Sequence, residues 1–165
     1  MAIWTGHLWD MVTSTDPREA FETIVSASSF MTLATADATG LPWASPVWFA
    51  TTDCREFFWA SSPDVRHSRN LAARTELAIS IYDSTQTPGT GQGAYVSAIG
   101  RPVPESELAA GLAVYASVSR EQGLSEWGRS DVTPPAKHRL YRATATELFV
   151  LDSHDTRTPV PLTWT

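Results

Sequence analysis

The stretch MTLATADATGLPWASPVWFA, residues 31–50, decides the fold. With Phe30 in front of it, FMTLATA carries β-branched and aromatic residues and stops at the turn residues DATG, so it reads as a strand followed by a turn. The partner strand, LPWASPVWFATT, holds Trp43 and Trp48 together with Pro42 and Pro46. Proline has no N–H to give to a ladder, so a strand with two prolines needs an edge or a bulged segment where its backbone is free. Such a free backbone can instead bind a flat heterocycle bearing carbonyl and imide edges. A second turn, DCRE, leads into FFWASS, and three successive strands joined by four-residue turns predict an antiparallel meander.

Upstream, STDPREAFETIVSAS predicts a helix over about residues 16–28. Asp16 is the N-cap, Pro17 suits the first helical position, Glu19 completes a capping box, and Phe21, Ile24 and Val25 form the apolar stripe. Downstream, Val65, Leu71 and Ala72 recur at helical spacing, LAISIYD is a fourth strand, and AYVSAIGRPV is a fifth with a bulge expected at Gly100. A second helix is expected over about 105–122, with Leu108, Leu112, Tyr115 and Val118 on one stripe. GLSEWGRSDVTPPAKH reads as a loop, RLYRATA and ELFVLD as a hairpin about Thr146, and TPVPLTW as an edge strand.

Six or seven short strands without regular strand–helix alternation exclude a doubly wound parallel sheet. The expected class is mainly β with accessory helices: a small antiparallel split barrel, in which closure removes exposed edges. The 165 residues fit a single domain, 1–165. With 42% apolar and 18% charged residues the chain is globular, and no apolar run approaches the ~20 residues of a membrane span. The N-terminus lacks the pattern of a secretory signal, so a cytoplasmic location is expected and no membrane partner. A single cysteine, Cys54, leaves no internal disulfide, and the four histidines, His7, His67, His138 and His154, are too scattered for a metal site. A net charge of −6 argues against nucleic acid as a partner. Yet eleven of the twelve cations are arginine, and Arg66, Arg69 and Arg74 fall within nine residues, an island that asks for an anion.

The densest chemical signal is WASSPDVRHSRNL, residues 59–71. A strand ends in Ser61 and Ser62, and the following helix carries Arg66 and His67 in its first turn. N–H groups at a helix start, with hydroxyls and guanidinium beside them, make a phosphate site. A surface helix capped by Ser62, with solvated arginines, is the plainer reading of the same spacing.

Together, LATADATGLPWASPVWF and FFWASSPDVRHSRNLAARTELAISI resemble the FMN-binding split barrel of the pyridoxamine 5′-phosphate oxidase-like superfamily. The pattern there is an apolar strand with a small-residue turn, G-x-P, a P-V-W-F-like strand, a Thr/Ser-Ser strand end and an R-K-x-x-N-L helix. The resemblance covers roughly residues 20–101, and more loosely RLYRATATELFVLD. It implies a homodimer with flavin sites at the subunit interface and a small-molecule substrate. The isoalloxazine ring would lie against the backbone of Ser45, Pro46, Val47 and Trp48. The phosphate would be held by Ser61, Ser62, Arg66 and His67, with Arg69 and Asn70 as further positions of the helix pattern. The family often has lysine where this chain has His67, so affinity for phosphate would rest more on Arg66. True pyridoxamine 5′-phosphate oxidases carry a C-terminal arginine and histidine set that DTRTPVPLTWT does not show, so that activity is not expected.

The implied activity is hydride transfer by bound FMN on a small molecule, which requires no catalytic side chain. Trp43, Trp48, Tyr82, Tyr95 and Trp127 are candidate walls of a substrate cleft. A deazaflavin with a polyglutamyl tail, held by the arginine island, is an alternative cofactor, and a flavin-binding module without turnover an alternative role. Heme binding, which some split-barrel relatives show, needs an axial ligand that the sequence does not nominate.

Overall fold

The computed structural model of the chain describes residues 16–87, 91–151 and 155–163; His7 and His154 lie outside them. Helix α1 (Pro17–Ser26) precedes strands β1 (Phe30–Ala36), β2 (Pro42–Trp48) and β3 (Glu56–Ser61). Helix α2 (Arg66–Ala73) and strands β4 (Glu76–Tyr82) and β5 (Gly93–Pro102) follow. A 3-10 turn at Glu105–Glu107 leads into α3 (Leu108–Glu121), then come α4 (Arg129–Val132), β6 (Arg139–Leu151) and β7 (Arg157–Val160). The strands form one antiparallel sheet of order β2-β1-β4-β5-β6-β3, with β7 added to β6.

The two ends of this order, β2 and β3, meet at one bridge. Ala50 and Phe58 exchange N–H···O bonds of 2.9 and 2.8 Å, and no further pair forms between the strands. The sheet therefore curls into a barrel whose seam stays open, a mainly β split barrel with flanking helices.

The expected meander holds for β1 and β2 alone. β3 pairs along its length with β6, Glu56–Ser61 against Arg139–Thr144. The reason is visible in β2: Pro42 and Pro46 lack the donors that a ladder on that side would use, so pairing stops at the bridge. Phe57 and Trp59 of β3 are fully buried, and Trp59 stacks on Tyr141 of β6 at 5.5 Å.

Two further expectations are corrected. The bulge is on β6 and not at Gly100: Ser97 faces Glu147 and Ala98 faces Ala145, which leaves Thr146 as the extra residue. Its hydroxyl donates to the Ser97 carbonyl at 3.0 Å. Residues 139–151 are consequently one bulged strand, and the hairpin expected about Thr146 does not form. A bulge bends a strand without reversing it. Gly100 answers to packing instead, because a Cβ there would stand 2.8 Å from Leu77 Cδ2 and 3.2 Å from Leu71 Cδ2.

α1 starts at the expected N-cap and first-turn proline, with the Asp16 carboxylate accepting from the Arg18 N–H at 2.9 Å. It buries Ala20, Phe21, Ile24 and Val25 against the inner face of the barrel, where Met31, Leu33, Ile79, Val96 and Leu148 lie. Each large side chain buried this way contributes about 1.5–3 kcal/mol. α3 packs on the opposite face of β3 and β6, closing a second core of Phe58, Leu140, Leu108, Leu112, Tyr115 and Val132. The segment read as a loop after it contains the single turn of α4.

Candidate functional site

The site grows from the β1–β2 hairpin. Asp37 Oδ1 accepts from the Thr39 N–H (2.9 Å), the Thr39 hydroxyl (2.6 Å) and the Leu41 N–H (3.0 Å), and Gly40 takes φ +91°. These bonds, led by the Thr39 hydroxyl, hold the Asp37 carboxyl below its usual pKa. β2 then lies at the end of the strand order, paired with β1 only, with Pro46 opposite Thr32 and Pro42 opposite Ala36.

In an antiparallel pair each residue points its N–H and C=O to the same side, and successive residues alternate. The prolines cannot donate, so they occupy the outward positions. The carbonyls of Pro42, Ala44, Pro46 and Trp48 and the N–H groups of Ala44 and Trp48 therefore face away from β1. Ser45 and Val47 turn their backbone to β1. Of the four strand residues named from the sequence, Pro46 and Trp48 turn their main chain to the unpaired side of β2. The Ser45 hydroxyl accepts from the Trp43 indole at 2.9 Å, and Val47 packs against the first core.

Counting back from the Ala50–Phe58 bridge, Trp48 runs toward Ala60 and Pro46 toward Ser62 across the open seam. On that second lip the chain turns from β3 into α2. Ser62 Oγ accepts from the Asp64 N–H at 3.2 Å, and the Ser62 carbonyl takes the Val65 N–H. The N-cap of α2 is Val65, which has no side chain to cap with, and the first turn holds no acidic residue. Its leading N–H groups are thus left to a ligand or to water.

Ser61, Ser62, His67, Ser68 and Asn70 are all buried here. Ser61 Oγ and His67 Nε2 are 2.8 Å apart. Burial pushes the His67 pKa below its ordinary value of 6.5. Ser68 Oγ, in the same first turn, has no hydrogen-bond partner among the described residues. Arg66 lies with its guanidinium over the Trp43 ring at 4.4 Å, which joins the helix start to the edge strand. Arg69 instead donates to the Asp64 carbonyl at 2.5 Å, and Asn70 Nδ2 donates to Thr35 Oγ1 at 3.0 Å. The Thr35 hydroxyl in turn donates to the Trp43 carbonyl at 3.3 Å. These bonds fix α2 to β1 and β2. Thr35 escaped the sequence reading, although its signal was present as a polar residue in phase with the buried Met31 and Leu33.

The five aromatic candidates do not line one cleft in the chain. Trp43 lies under Arg66 and Tyr95 under Arg157, 4.3 Å from its guanidinium, while Tyr82 is exposed. Trp48 and Trp127 both contact Tyr115, at 4.8 and 6.1 Å between ring centroids. The Trp48 indole also donates to Gln122 Oε1 at 2.8 Å. A concavity of about 740 Å³ lies away from the seam, between α1 and residues 51–54. Cys54 lines it, with its thiol pushed up to about 12 by burial and by Glu22 and Asp53, so it holds no thiolate at neutral pH.

A family model described as pyridoxamine 5′-phosphate oxidase matches residues 17–151. The chain belongs to that family. Among solved structures, the heme binding protein of Mycobacterium smegmatis superposes with a TM-score of 0.71 at 18% identity, over 90% of this chain and 59% of that one. The heme storage protein HutZ of Vibrio cholerae gives 0.63 at 23% identity, over 82% and 95%. An FAD-binding protein of Mesorhizobium loti gives 0.60 at 16%, over 79% and 90%. This family member thus spans about three fifths of the mycobacterial protein's length. At such identities the likeness establishes the fold. No functionally curated protein matches the chain. Among the described residues, no helix of this family member is long and apolar enough to cross a membrane.

Proposed function

We propose that this family member is a flavin-dependent oxidoreductase that holds FMN in the open seam and moves a hydride to or from a small molecule, working in the cytoplasm as a homodimer. One observation carries the reading: the free edge of β2 and the uncapped start of α2 face one seam, joined by the stacking of Arg66 on Trp43. The ring system of a flavin has an imide edge, an N–H between two carbonyls. The edge of β2 alternates carbonyls with the Trp48 N–H and is complementary to it. The flavin phosphate suits the N–H groups of the helix start, the Ser61 and Ser62 hydroxyls and Arg66.

The residues present fit the group, since the buried Ser68 hydroxyl and the helix-start N–H groups want an acceptor there. When bound, flavin supplies the two-electron chemistry. The chain's own part is to orient the ring along β2, neutralise the phosphate through Arg66 and keep water from the seam. The substrate is not pyridoxamine 5′-phosphate on this reading: Arg157, the basic residue of the described tail, is stacked on Tyr95. The outer face of β2, β1 and β4 would take the second subunit. It exposes Phe30, Tyr82 and the small residues Ala34, Ala44 and Ala78, and a groove of about 480 Å³ runs across it.

The test is to denature the purified protein, identify by mass what it releases, and repeat with the Arg66→Ala/Ser61→Ala double variant. Release of FMN by the natural protein and its loss from a still-folded double variant are expected. Full retention in the double variant would overturn the phosphate assignment. Release of a deazaflavin would keep the seam and replace the cofactor. A second reading, a heme carrier without turnover, is favoured by the two neighbours whose names record heme binding or storage. A Soret band in place of flavin absorption would select it.

A further inference from the structure

His67 was a candidate phosphate ligand, but its Nε2 is already used: it lies 2.8 Å from Ser61 Oγ, and both residues are buried. The direction of this bond decides what the seam can bind. A hydroxyl has one hydrogen to give and two lone pairs to offer. If Ser61 donates to Nε2, its lone pairs point into the seam and repel an anion. If Nε2–H donates to Ser61, the hydroxyl hydrogen is free to reach an anion at the start of α2. The helix start favours negative charge by its dipole and its unclaimed N–H groups, so an anion there selects the second arrangement.

We propose that His67 is a positioning residue that acts through Ser61: its Nε2–H donates to Ser61 Oγ and so makes the Ser61 hydroxyl an outward-facing donor for a phosphate group. A lysine would instead bring its own charge to the anion, so this chain obtains a neutral, directed donor where the family pattern has a cation. Arg66 then remains as the first-turn cation of the site. The inference rests on the phosphate reading above: the 2.8 Å contact pairs Ser61 with His67, and an anion at the start of α2 sets the direction of their hydrogen bond.

Two measurements on the full chain decide it. The first needs no flavin: the ¹⁵N NMR spectrum of the His67 imidazole with saturating inorganic phosphate. A proton on Nε2, with a shift that moves in Ser61→Ala, is expected; a proton confined to Nδ1 would overturn the proposal. The second compares FMN with riboflavin by fluorescence titration in the natural protein, Ser61→Ala, His67→Ala, the double variant and His67→Gln. The ratio of riboflavin to FMN Kd reads the phosphate contribution. It should fall roughly tenfold in either alanine variant, the worth of one hydrogen bond to a charged group. The double variant should fall no further, and His67→Gln, whose amide can also donate to Ser61, should restore most of the ratio. Additive losses, or no rescue by glutamine, would place His67 directly on the phosphate and sink the positioning role. Equal affinity of the natural protein for FMN and riboflavin would refute the flavin phosphate site while leaving the NMR result to judge His67.

Discussion

The ring of Tyr115 on α3 stands edge-on to Trp48 on β2, with centroids 4.8 Å apart and planes at 85°. Its hydroxyl meets the backbone of Ala60 on β3, and burial still drives its pKa up to about 12. Phe58 gives its N–H to Ala50, and two residues along the strand Ala60 points its own N–H to the same side, where β2 would be had the ladder continued. Tyr115 therefore stands in for the missing strand pair. It satisfies the Ala60 N–H on the β3 lip and leaves the main-chain edge of β2 opposite unpaired.

Tyr115→Phe removes the hydroxyl and strands the Ala60 N–H, and should cost about 1–3 kcal/mol in urea denaturation, the range for a buried group left unpaired. Trp48→Leu with Tyr115→Leu should show a coupling energy of about 0.5–1.5 kcal/mol in a double-mutant cycle. Strict additivity would mean that the two rings do not hold α3 to the barrel.

Gly100→Ala places a methyl 2.8 Å from Leu77 Cδ2 and 3.2 Å from Leu71 Cδ2, inside a packed core. Overpacking of this kind costs about 1–3 kcal/mol. Leu77→Val, which withdraws the offending methyl, should recover part of the loss in the double variant. An alanine at 100 without effect on the unfolding midpoint would show that the leucines shift freely.

How much of this was legible beforehand follows from what each signal encodes. α1, β1 and β4 were read to within about two residues, because capping residues and alternating burial are local properties. That β2 needs an edge or a bulged segment was legible in Pro42 and Pro46; that it is the edge was not, because the short turn to β3 suggested a partner there. The partner of β3 was not: pairing with β6 joins residues some eighty positions apart, and short turns between strands suggest neighbours without specifying them. Thr146 misled in the opposite sense, because small polar residues between two apolar runs look like a hairpin, yet the run contains no Gly, Pro, Asn or Asp to make the turn. In the candidate site the residue types were readable and their connections were not. That Asn70 would serve Thr35, and His67 serve Ser61, depends on how α2 is set against the sheet.

The buried imidazole gives stability a defined pH dependence. His67 has its pKa lowered by desolvation in the folded chain, so between the unfolded value of 6.5 and the lower folded value the unfolded state binds more protons. Its contribution to stability is therefore complete above pH 6.5 and is lost as pH falls through that window. Urea midpoints taken from about pH 7.5 down to about pH 5.5 should fall in the natural protein and fall less steeply in His67→Gln. Parallel slopes would show that His67 titrates alike in both states. The Asp37 and Glu126 carboxyls, both held below their ordinary values by hydrogen bonds, titrate lower and do not enter this window.

The prolines of β2 protect an open edge as well as shaping it. At Pro46 the outward N–H is missing, so a strand from another chain finds a carbonyl without the neighbouring donor needed for continuous pairing. Pro46→Thr restores that donor and adds a residue of high β propensity at an exposed position of the edge. Concentration-dependent association through β2 should follow, several-fold faster than in the natural protein, seen as light scattering and thioflavin T fluorescence on incubation. Pro46→Lys restores the same N–H but adds a repelling charge and should stay dispersed. If the threonine variant remains as dispersed as the natural chain, the bridge to β3 and the cover of α3 guard the edge without help from proline.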